Sequence, residues 1–325
     1  MSTDSDGTDS GGTDSGGTAS SGTAHANVDA VWGERRQLIN LAYRLLGSLA
    51  DAEDVVQEAY ARWFSRSAEE QDVIASPGAW LTTVTSRLCL NLLTSARVRR
   101  ETYVGEWIPE PVPDSTQWMT GRPDDVAADP ADRVSLDESL NMAFLVVLEA
   151  MTPAERVAFI LHDVFRYSFA EVGEIVGRSP GACRQLASSA RHRLSEAHTT
   201  TTPTRTQAAV VRRFKTAWDA GDIDALIDVL APDVTVVSDG GGRVSTIIHP
   251  ISGAERIGQA FLGLQDKISD LTVLERTVNG QPGLIARRDG VTVSVYAFEV
   301  AGDRISRIWA IRNPDKLVPW METED

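Results

Sequence analysis

The chain has 325 residues, of which 42% are hydrophobic, so it has room for two or three domains with cores of their own. Its longest apolar run, residues 143–148, is too short to cross a bilayer, and its first residues lack the basic start and apolar core of a signal peptide. A membrane protein and a secreted protein are therefore excluded, and a cytoplasmic location is expected. Cys89, Cys183 and five scattered histidines predict no disulfide, no metal site and no cofactor.

The formal net charge of −15 does not exclude a DNA-binding protein, because ten of the negative charges lie in two segments. Residues 1–27 carry −4 and residues 101–134 carry −6. Basic residues instead cluster in the segments predicted to be helical. These are Arg87, Arg97, Arg99 and Arg100, and then Arg178, Arg184, Arg191 and Arg193. Weak DNA affinity of the free protein is expected, as for a protein that binds DNA within a larger complex.

Residues 1–27 are a Ser/Thr/Gly/Asp repeat and are predicted to be disordered. Residues 28–100 have a helical pattern, with Gly47 ending a first amphipathic helix. The segment Asp51–Phe64, DAEDVVQEAYARWF, predicts a second helix with one apolar and one acidic face. Taken alone, such a face is most simply a solvated surface. Its polar residues are Asp51, Glu53, Asp54, Gln57 and Glu58.

A long helix is predicted after Ser76-Pro77, a cap followed by a first-turn proline. The buried row of this helix is predicted to be Leu81, Val84, Leu88, Leu92 and Ala96. Trp80, Arg87 and Asn91 are left for the exposed side, although Trp80 packed in the core is the alternative.

Residues 101–134 are rich in proline and acid, which is typical of an extended linker. The linker contains the motif WIPEP, which is Trp107, Ile108, Pro109, Glu110 and Pro111. A plain spacer rarely exposes a tryptophan and an isoleucine, so another part of the chain is expected to cover Trp107 and Ile108.

Residues 135–198 are predicted to form a helix-turn-helix domain. Thr152 with Glu155, and Ser168 with Glu171, have the spacing of a capping box, and Ser179 marks a third helix start. Two helices joined across residues 177–179, with a glycine first, fit the DNA-binding motif.

One face of the last helix in this domain is predicted to be buried, with Cys183, Leu186, Ala190 and Leu194. The outward face carries Arg184, Gln185, Ser188, Arg191 and His192. Arginine and glutamine pair with purine edges in the major groove, and serine suits phosphates, so DNA contact is expected. A solvated face on an ordinary three-helix bundle is the alternative.

After a Thr/Pro hinge at residues 199–204, residues 205–325 show helical patterns followed by β-rich runs. Helices followed by a bent antiparallel sheet indicate an α+β cone. This segment contains two further motifs. DGGGR is Asp239, Gly240, Gly241, Gly242 and Arg243, and NPDKL is Asn313, Pro314, Asp315, Lys316 and Leu317.

The segment from Pro153 to Leu194 resembles region 4 of extracytoplasmic-function sigma factors, and Asp51–Phe64 resembles their region 2.2. The resemblance implies that the outward face of the last helix contacts the −35 promoter element. It implies that Asp51, Asp54, Gln57 and Glu58 dock on the clamp of RNA polymerase core, with a second contact on the flap. It also implies that Trp80, Arg87 and Asn91 hold a flipped base of the −10 element, while Arg97, Arg99 and Arg100 meet phosphates.

WIPEP differs only at Ile108 from the WLPEP signature of the sigma-factor subgroup with an added SnoaL-like domain. DGGGR and NPDKL match the two other signatures of that subgroup, which also lacks region 3. The resemblance therefore implies a multidomain fold, with two all-α sigma domains and a C-terminal α+β cone of the SnoaL-like, nuclear-transport-factor-2-like type. We expect the three motifs to form one interdomain regulatory contact.

Three alternatives remain open for the C-terminal cone. Free-standing SnoaL-like proteins include cyclases and isomerases that use an Asp or a His, and Asp239 and His249 are the candidates here. No base has a visible orienting partner, so an enzyme is not expected. Binding of a small molecule without chemistry and a purely protein–protein role both remain. A one-component repressor would not explain the segment Asp51–Phe64 or the predicted helix of residues 76–100. The sequence thus predicts a sigma factor regulated by its own C-terminal domain, with promoter DNA and polymerase core as partners and no anti-sigma factor required.

Overall fold

The computed structural model describes residues 31–100, 103–113, 138–197, 204–265 and 270–321. The first range contains α1 (Arg35–Leu46), α2 (Leu49–Phe64), α3 (Ala68–Asp72) and α4 (Pro77–Arg100), which form the N-terminal helical domain. The third range contains α5 (Met142–Glu149), α6 (Pro153–Phe159), α7 (Phe169–Val176) and α8 (Pro180–Glu196), which form the helix-turn-helix domain. The predictions for residues 1–27, 114–134 and 199–203 fall outside the described residues, as do the side chains of Arg97, Arg99 and Arg100.

The helix starts follow from the residues that cap them. The hydroxyls of Thr152 and Ser168 accept hydrogen bonds from the amides of Glu155 and Glu171, three residues later. The carboxylates of the two glutamates accept from the amides of Thr152 and Ser168 in return. Ser179 caps α8 through the amide of Ala182. Gly177 ends α7 with a φ of 70°, a left-handed conformation that glycine adopts at no steric cost. The predicted turn of the helix-turn-helix is therefore confirmed.

The buried face of α4 differs from the predicted row. Leu81 is buried, but Val84, Leu88 and Leu92 are only half-buried. The buried positions include smaller and polar residues, namely Thr82, Thr85, Ser86, Cys89 and Leu93. The prediction assumed one partner surface, whereas α4 packs against α2 and also against α6 and α7 of the helix-turn-helix domain.

The C-terminal domain begins with α9 (Thr204–Ala220) and α10 (Ile223–Val229), and α11 (Ala254–Gln265) follows the first two strands. Its strands are β1 (Leu230–Asp239), β2 (Ile251–Ser252), β3 (Leu271–Val278), β4 (Gln281–Arg288), β5 (Val291–Ala301) and β6 (Arg304–Ile311). The sheet order is β2-β1-β6-β5-β4-β3, with β1 and β6 parallel and the other neighbours antiparallel. Asn279-Gly280 and Asp289-Gly290 make the tight turns between β3, β4 and β5, all with positive φ. The predicted α+β architecture is confirmed.

The two faces of this sheet pack into different cores. On one face Tyr296 and Phe298 pack with Phe214 and the other apolar residues of α9 to α11. On the other face lie Val295, Ala297, Trp309 and Ile311, which pack with residues from outside the domain: Ile108 of the linker and Met142 and Ala143 of α5. The second core of the C-terminal domain therefore includes side chains from the linker and from α5.

No described helix is both long enough and apolar enough to span a lipid bilayer. Cys89 and Cys183 are both free and buried, as predicted for packed thiols.

Candidate functional site

The carboxylate of Asp239, at the end of β1, lies at the centre of a buried polar cluster. Its Oδ1 accepts hydrogen bonds from the hydroxyl of Tyr103 at 2.6 Å and from the amide of Gly241 at 3.0 Å. Its Oδ2 accepts from Nζ of Lys316 at 2.6 Å and from the amide of Ile108 at 3.1 Å. Together with Asn313 these residues are called the Asp239 cluster. It joins all three predicted motifs, because Ile108 belongs to WIPEP, Asp239 to DGGGR and Lys316 to NPDKL.

Lys316 compensates the charge of Asp239 and also holds the linker. Its Nζ donates to the carbonyl of Ile108 and lies 4.1 Å from the ring centroid of Trp107, a cation–π distance. Burial, together with the hydrogen-bonded Asp239 carboxylate, raises the pKa of the Tyr103 phenol. Tyr103 therefore stays protonated and remains a donor to Asp239 at neutral pH.

The DGGGR loop needs its glycines because other residues approach its backbone. A Cβ on Gly241, where φ is 61°, would overlap the side-chain amide of Asn313. That amide donates to the Tyr103 hydroxyl at 3.0 Å. A Cβ on Gly242 would lie 3.1 Å from Val104 of the linker. The glycine run thus allows the backbone of this loop to lie close to the NPDKL segment and to the linker.

Glu110 of WIPEP joins the linker to the N-terminal helical domain. Its amide donates to the carbonyl of Gly47 at 2.8 Å, and its Oε2 accepts from the amide of Leu49 at 2.7 Å, at the start of α2. Burial raises the pKa of Glu110 to about 7, although the Leu49 amide and the charge of Lys316 act in the opposite direction. Gly47 has no room for a side chain, since a Cβ would lie 2.8 Å from the Trp107 ring.

One buried hydroxyl connects three parts of the chain. The hydroxyl of Tyr43 in α1 donates to the Glu110 carbonyl at 2.6 Å and accepts from Nδ2 of Asn279 at 2.8 Å. Asn279, in the β3–β4 turn, also pairs through its amide and Oδ1 with the backbone of Val112. The N-terminal helical domain, the linker and the C-terminal domain therefore meet at Tyr43.

Two buried arginines join the helix-turn-helix domain to the N-terminal helical domain. Arg156 donates from Nη1 to the Leu45 carbonyl at 2.9 Å and to Glu149 at 2.7 Å, while Nε of Arg44 donates to Ser139 at 2.6 Å. Burial lowers the pKa of Arg156 to about 9. The residue is still charged at neutral pH, which explains the ion pair with Glu149.

The outward face of α8 is exposed, with Arg184, Gln185, Ser188, Arg191 and His192 all on it. The structure separates two of its arginines. The guanidinium of Arg184 lies 5.3 Å from the centroid of the Phe169 ring, whereas Nε of Arg191 is bonded at 2.7 Å to the buried carboxylate of Asp163. Arg191 therefore anchors α8 to its own domain, a role that the spacing of the sequence did not predict.

The residues assigned to the −10 element are not equally accessible. Trp80 is half-buried, with its ring centroid 5.3 Å from that of Trp63, so part of the core alternative holds. Arg87 is exposed, and its Nη2 donates to the carbonyl of Glu174 in α7 at 2.7 Å. Asn91 is exposed.

Asn91 also lies at a groove between α2 and α4 with a volume of about 480 Å³. Asp51, Asp54 and Glu58 form its acidic side, and Val55, Leu88 and Leu92 line its apolar floor. Gln57 is exposed on the same helix. Three carboxylates of the acidic face of α2 thus lie beside an apolar groove.

The two acid/base candidates do not meet in the cavity of the cone. A cavity of about 650 Å³ lies on the helix-covered face of the sheet, and neither Asp239 nor His249 lines it. Asp239 points to the opposite face because successive residues of a strand alternate, and His249 is exposed in a loop. Neither of the two candidate acid/base residues is therefore placed to act on a molecule bound in this cavity.

Several residues of the interface were missed from the sequence. Tyr103, Tyr43 and Asn279 carry its hydrogen bonds, yet none belongs to a recognisable motif. Asn279-Gly280 signals only a hairpin turn, and the buried Arg44 resembles any basic residue of an amphipathic helix. Their roles follow from hydrogen-bond partners far away in the chain, which no local pattern indicates.

Comparison with known proteins matches residues 33–99 to sigma-70 region 2 and residues 141–194 to sigma-70 region 4. The chain is 40% identical over 296 residues to the ECF RNA polymerase sigma factor SigJ of Mycobacterium tuberculosis, covering 87% of this chain and 90% of that protein. The crystal structure of M. tuberculosis SigJ is similar with a TM-score of 0.69 and 36% identity, covering 90% of this chain and 98% of that one. A SnoaL-like protein of unknown function from Burkholderia thailandensis is similar with a TM-score of 0.27 and 19% identity, over 33% of this chain and 94% of that one.

Proposed function

Because the chain belongs to the extracytoplasmic-function family of RNA polymerase sigma factors and directs transcription initiation at promoters, we propose that its SnoaL-like domain is its built-in regulator. In this proposal the domain holds the two helical domains in one closed arrangement until RNA polymerase core and promoter DNA engage them. The supporting observation is the Asp239 cluster, in which a fully buried carboxylate joins the sheet, the linker and the C-terminal tail.

The surfaces for DNA and polymerase are assigned as part of the same proposal. Arg184, Gln185, Ser188 and His192 contact the −35 element from the exposed face of α8. Trp80, Arg87 and Asn91 act at the −10 element. The acidic rim and apolar floor of the α2–α4 groove receive the polymerase clamp, because an interface needs both an apolar core and a charged edge.

The proposed closed arrangement restrains the free factor. Arg87 donates to the carbonyl of Glu174, and the hydroxyl of Tyr167 donates to Thr82 at 3.2 Å, so α4 and the helix-turn-helix domain cover parts of each other. In this proposal the Arg87 guanidinium exchanges the Glu174 carbonyl for DNA when the arrangement opens. Because the C-terminal domain packs on the linker and on α5 together, it stabilises the arrangement in which Arg87 is held.

The domain acts by contact rather than by catalysis in this proposal. Its interface with the linker is continuous and buried, whereas the described lining of the cone cavity contains no Asp, Glu, His, Lys or Cys. The same interface performs the restraint that a separate anti-sigma protein would otherwise provide, so the proposal includes no such partner.

Replacing Tyr43 with phenylalanine tests the proposal with the loss of one oxygen atom. Tyr43→Phe leaves the Glu110 carbonyl and the Asn279 amide short of a buried partner, a cost of about 1–3 kcal/mol to the closed arrangement. Transcription from one promoter by core polymerase should rise with this variant. Tyr60→Phe is the matched control, because Tyr60 lies in the same helical domain and its ring stacks on Phe64. Equal output from Tyr43→Phe and the control would contradict the restraint.

Two truncations test whether the C-terminal domain restrains transcription or has no effect on it. Removal of the residues after Arg312 deletes Asn313 and Lys316 and should raise transcription. Removal of residues 205–325 exposes Ile108, Met142 and Ala143, and transcription should then be abolished or lose its regulation. Identical output from the full chain and both truncations would leave the domain no regulatory role.

A further inference from the structure

The cone cavity has the size and wall of a small-molecule site. Its volume of about 650 Å³ lies within the range of roughly 300–1,000 Å³ that is usual for such sites. Val236, Ile257, Phe261 and Leu264 give it a mostly apolar wall, formed by β1 and α11. This wall is part of the domain's own core, on the face of the sheet opposite the linker.

Polar groups line part of this apolar wall. Ser238 and Thr246 form a hydroxyl pair, and Ser238 also donates to the Ala310 carbonyl at 3.2 Å. Nη1 of Arg312 donates to the Ser245 carbonyl at 2.6 Å. These groups come from the ends of β1 and β6 and from the loop that follows β1, so they are positioned by backbone that is itself hydrogen-bonded.

The charge of the cavity is positive. Of the described residues that line it, only Arg288 and Arg312 are charged. Arg288 is neutralised by Asp270, whose carboxylate lies 2.6 Å from its Nε. Arg312 is half-buried and makes no ion pair with any described residue. An uncompensated guanidinium beside an apolar wall favours an anionic group on an apolar body.

We propose that this cavity binds a small amphipathic acid, with its carboxylate at Arg312 and its apolar body against Ile257 and Phe261. Binding without reaction follows from the wall, because its described residues offer no general base or nucleophile beyond hydroxyl groups. Such a ligand gives the factor a chemical signal to which its regulatory interface can respond.

The signal has a short path to the Asp239 cluster. Ser238 faces the cavity and Asp239 faces the linker, while Arg312 faces the cavity and its neighbour Asn313 bonds to Tyr103. The amide of Arg312 donates to the Asp239 carbonyl at 2.7 Å, which ties the two strand ends together. A shift of Arg312 toward a carboxylate therefore moves the backbone that holds the cluster. This second half of the inference rests on the proposed regulatory function.

Calorimetric titration of the full-length protein tests the site with defined probes. Octanoate and 1-naphthoate are each compared with the alcohol of the same body, 1-octanol and 1-naphthalenemethanol. At least one acid should bind saturably and about tenfold or more tightly than its alcohol, because charge-assisted hydrogen bonds are the strong ones. If neither acid exceeds its alcohol, the anion site at Arg312 does not exist.

Two variants and a control locate the binding. Arg312→Gln should weaken the acid about tenfold or more and leave the alcohol unchanged. Ala260→Phe should abolish binding of both, since Ala260 lines the cavity on α11. Gln259→Phe, at the exposed neighbouring position, should bind like the unaltered protein. Ala260→Phe leaves Arg312 in place. It therefore tests the cavity even if Arg312→Gln fails to fold. Unchanged binding in Ala260→Phe overturns the site.

Hydrogen exchange distinguishes ligand binding in the cavity from an effect of that binding on the Asp239 cluster. Addition of the binding acid should change the protection of the linker peptide spanning residues 103–113, above all at the Ile108 amide that donates to Asp239. Saturable binding with unaltered exchange there would refute the coupling and leave the site. Neither measurement involves transcription, so failure of the proposed regulatory function would be visible separately in the Tyr43→Phe experiment.

Discussion

The Nζ atom of Lys316 lies 2.6 Å from Oδ2 of Asp239, in a pair whose carboxylate is fully buried and whose lysine side chain is 9% exposed. The two residues are far apart in sequence and belong to different motifs, yet each is held in place by the same linker residue, Ile108. Buried ion pairs are costly to form, and breaking one by removing a single partner is strongly destabilising. The pair is therefore sensitive to any change in the docking of the linker.

Replacing Lys316 with methionine should destabilise the protein by about 3–5 kcal/mol, because the Asp239 carboxylate stays buried without its cation. The measurement is the shift of the denaturation midpoint in urea. Arg243→Gln is the control, since its ion pair with Asp315 is exposed on both sides and should contribute little. Similar midpoints for the two variants would show that the buried pair does not hold the interface.

Gly241→Ala should open the contact between the DGGGR loop and Asn313. The new methyl group overlaps the Asn313 amide and is also strained by the φ of 61°. Gly302→Ala controls for the strain, because its φ is 65° and nothing lies within 4 Å of the added Cβ. Limited proteolysis of the linker should be faster in Gly241→Ala than in Gly302→Ala. Equal rates would assign the effect to backbone strain alone.

Stability should depend on pH through Glu110. Its pKa is raised to about 7 in the folded protein from an ordinary value of 4.5, so the folded state holds a proton that the unfolded state releases. The stabilisation is fully present below about pH 4.5 and is lost as the pH rises through about 7. The loss over this range is on the order of 3 kcal/mol, because the shift from 4.5 to about 7 corresponds to about 1.4 kcal/mol for each pKa unit.

Glu110→Gln has no carboxyl group to titrate, so the fall in melting temperature between pH 5 and pH 7 should be smaller in this variant. Glu106→Gln, an exposed glutamate of the same linker, should leave the pH dependence as it is. Thermal melts of the three proteins at several pH values make the comparison. A parallel fall in all of them would assign the dependence to other groups.

Arg184 and Arg191 of α8 should respond differently to substitution. Arg184→Ala should lower the melting temperature only slightly, because it loses just an exposed contact with the Phe169 ring. It should reduce transcription and alter preference within the upstream promoter element, at about 1–3 kcal/mol for a bidentate base contact. Arg191→Ala should lower the melting temperature, because the buried Asp163 carboxylate loses its partner at 2.7 Å. Transcription across a set of upstream sequences and a melt of each variant give both readouts. A uniform loss for Arg184→Ala would indicate a phosphate contact instead.

Reversing charge on the rim of the α2–α4 groove should abolish binding to polymerase core. Asp54→Lys with Glu58→Lys changes two exposed carboxylates without removing an apolar contact, so helicity should persist. Glu69→Lys, an exposed charge on α3 outside the groove, is the control. Pull-down with core polymerase and circular dichroism report the outcome. Retained binding by the double variant would place the docking surface elsewhere.

The sequence predicted local structure well where a side chain acts on its own neighbours. Thr152, Ser168 and Ser179 cap helices through amides three residues away, so short spacings contain all the information required. The buried row of α4 was predicted less well, because a helix with partners on two sides has no single apolar stripe.

The sequence by itself determined the two helical domains, the α+β cone and the three motifs WIPEP, DGGGR and NPDKL. Only the tertiary structure decided that these motifs meet at one carboxylate, that Tyr43 and Asn279 belong to the same interface, and that Asp239 turns away from the cone cavity. The physical reason is distance along the chain. Asp239 lies 136 residues from Tyr103 and 77 from Lys316, and no local spacing encodes which buried polar group will satisfy another so far away.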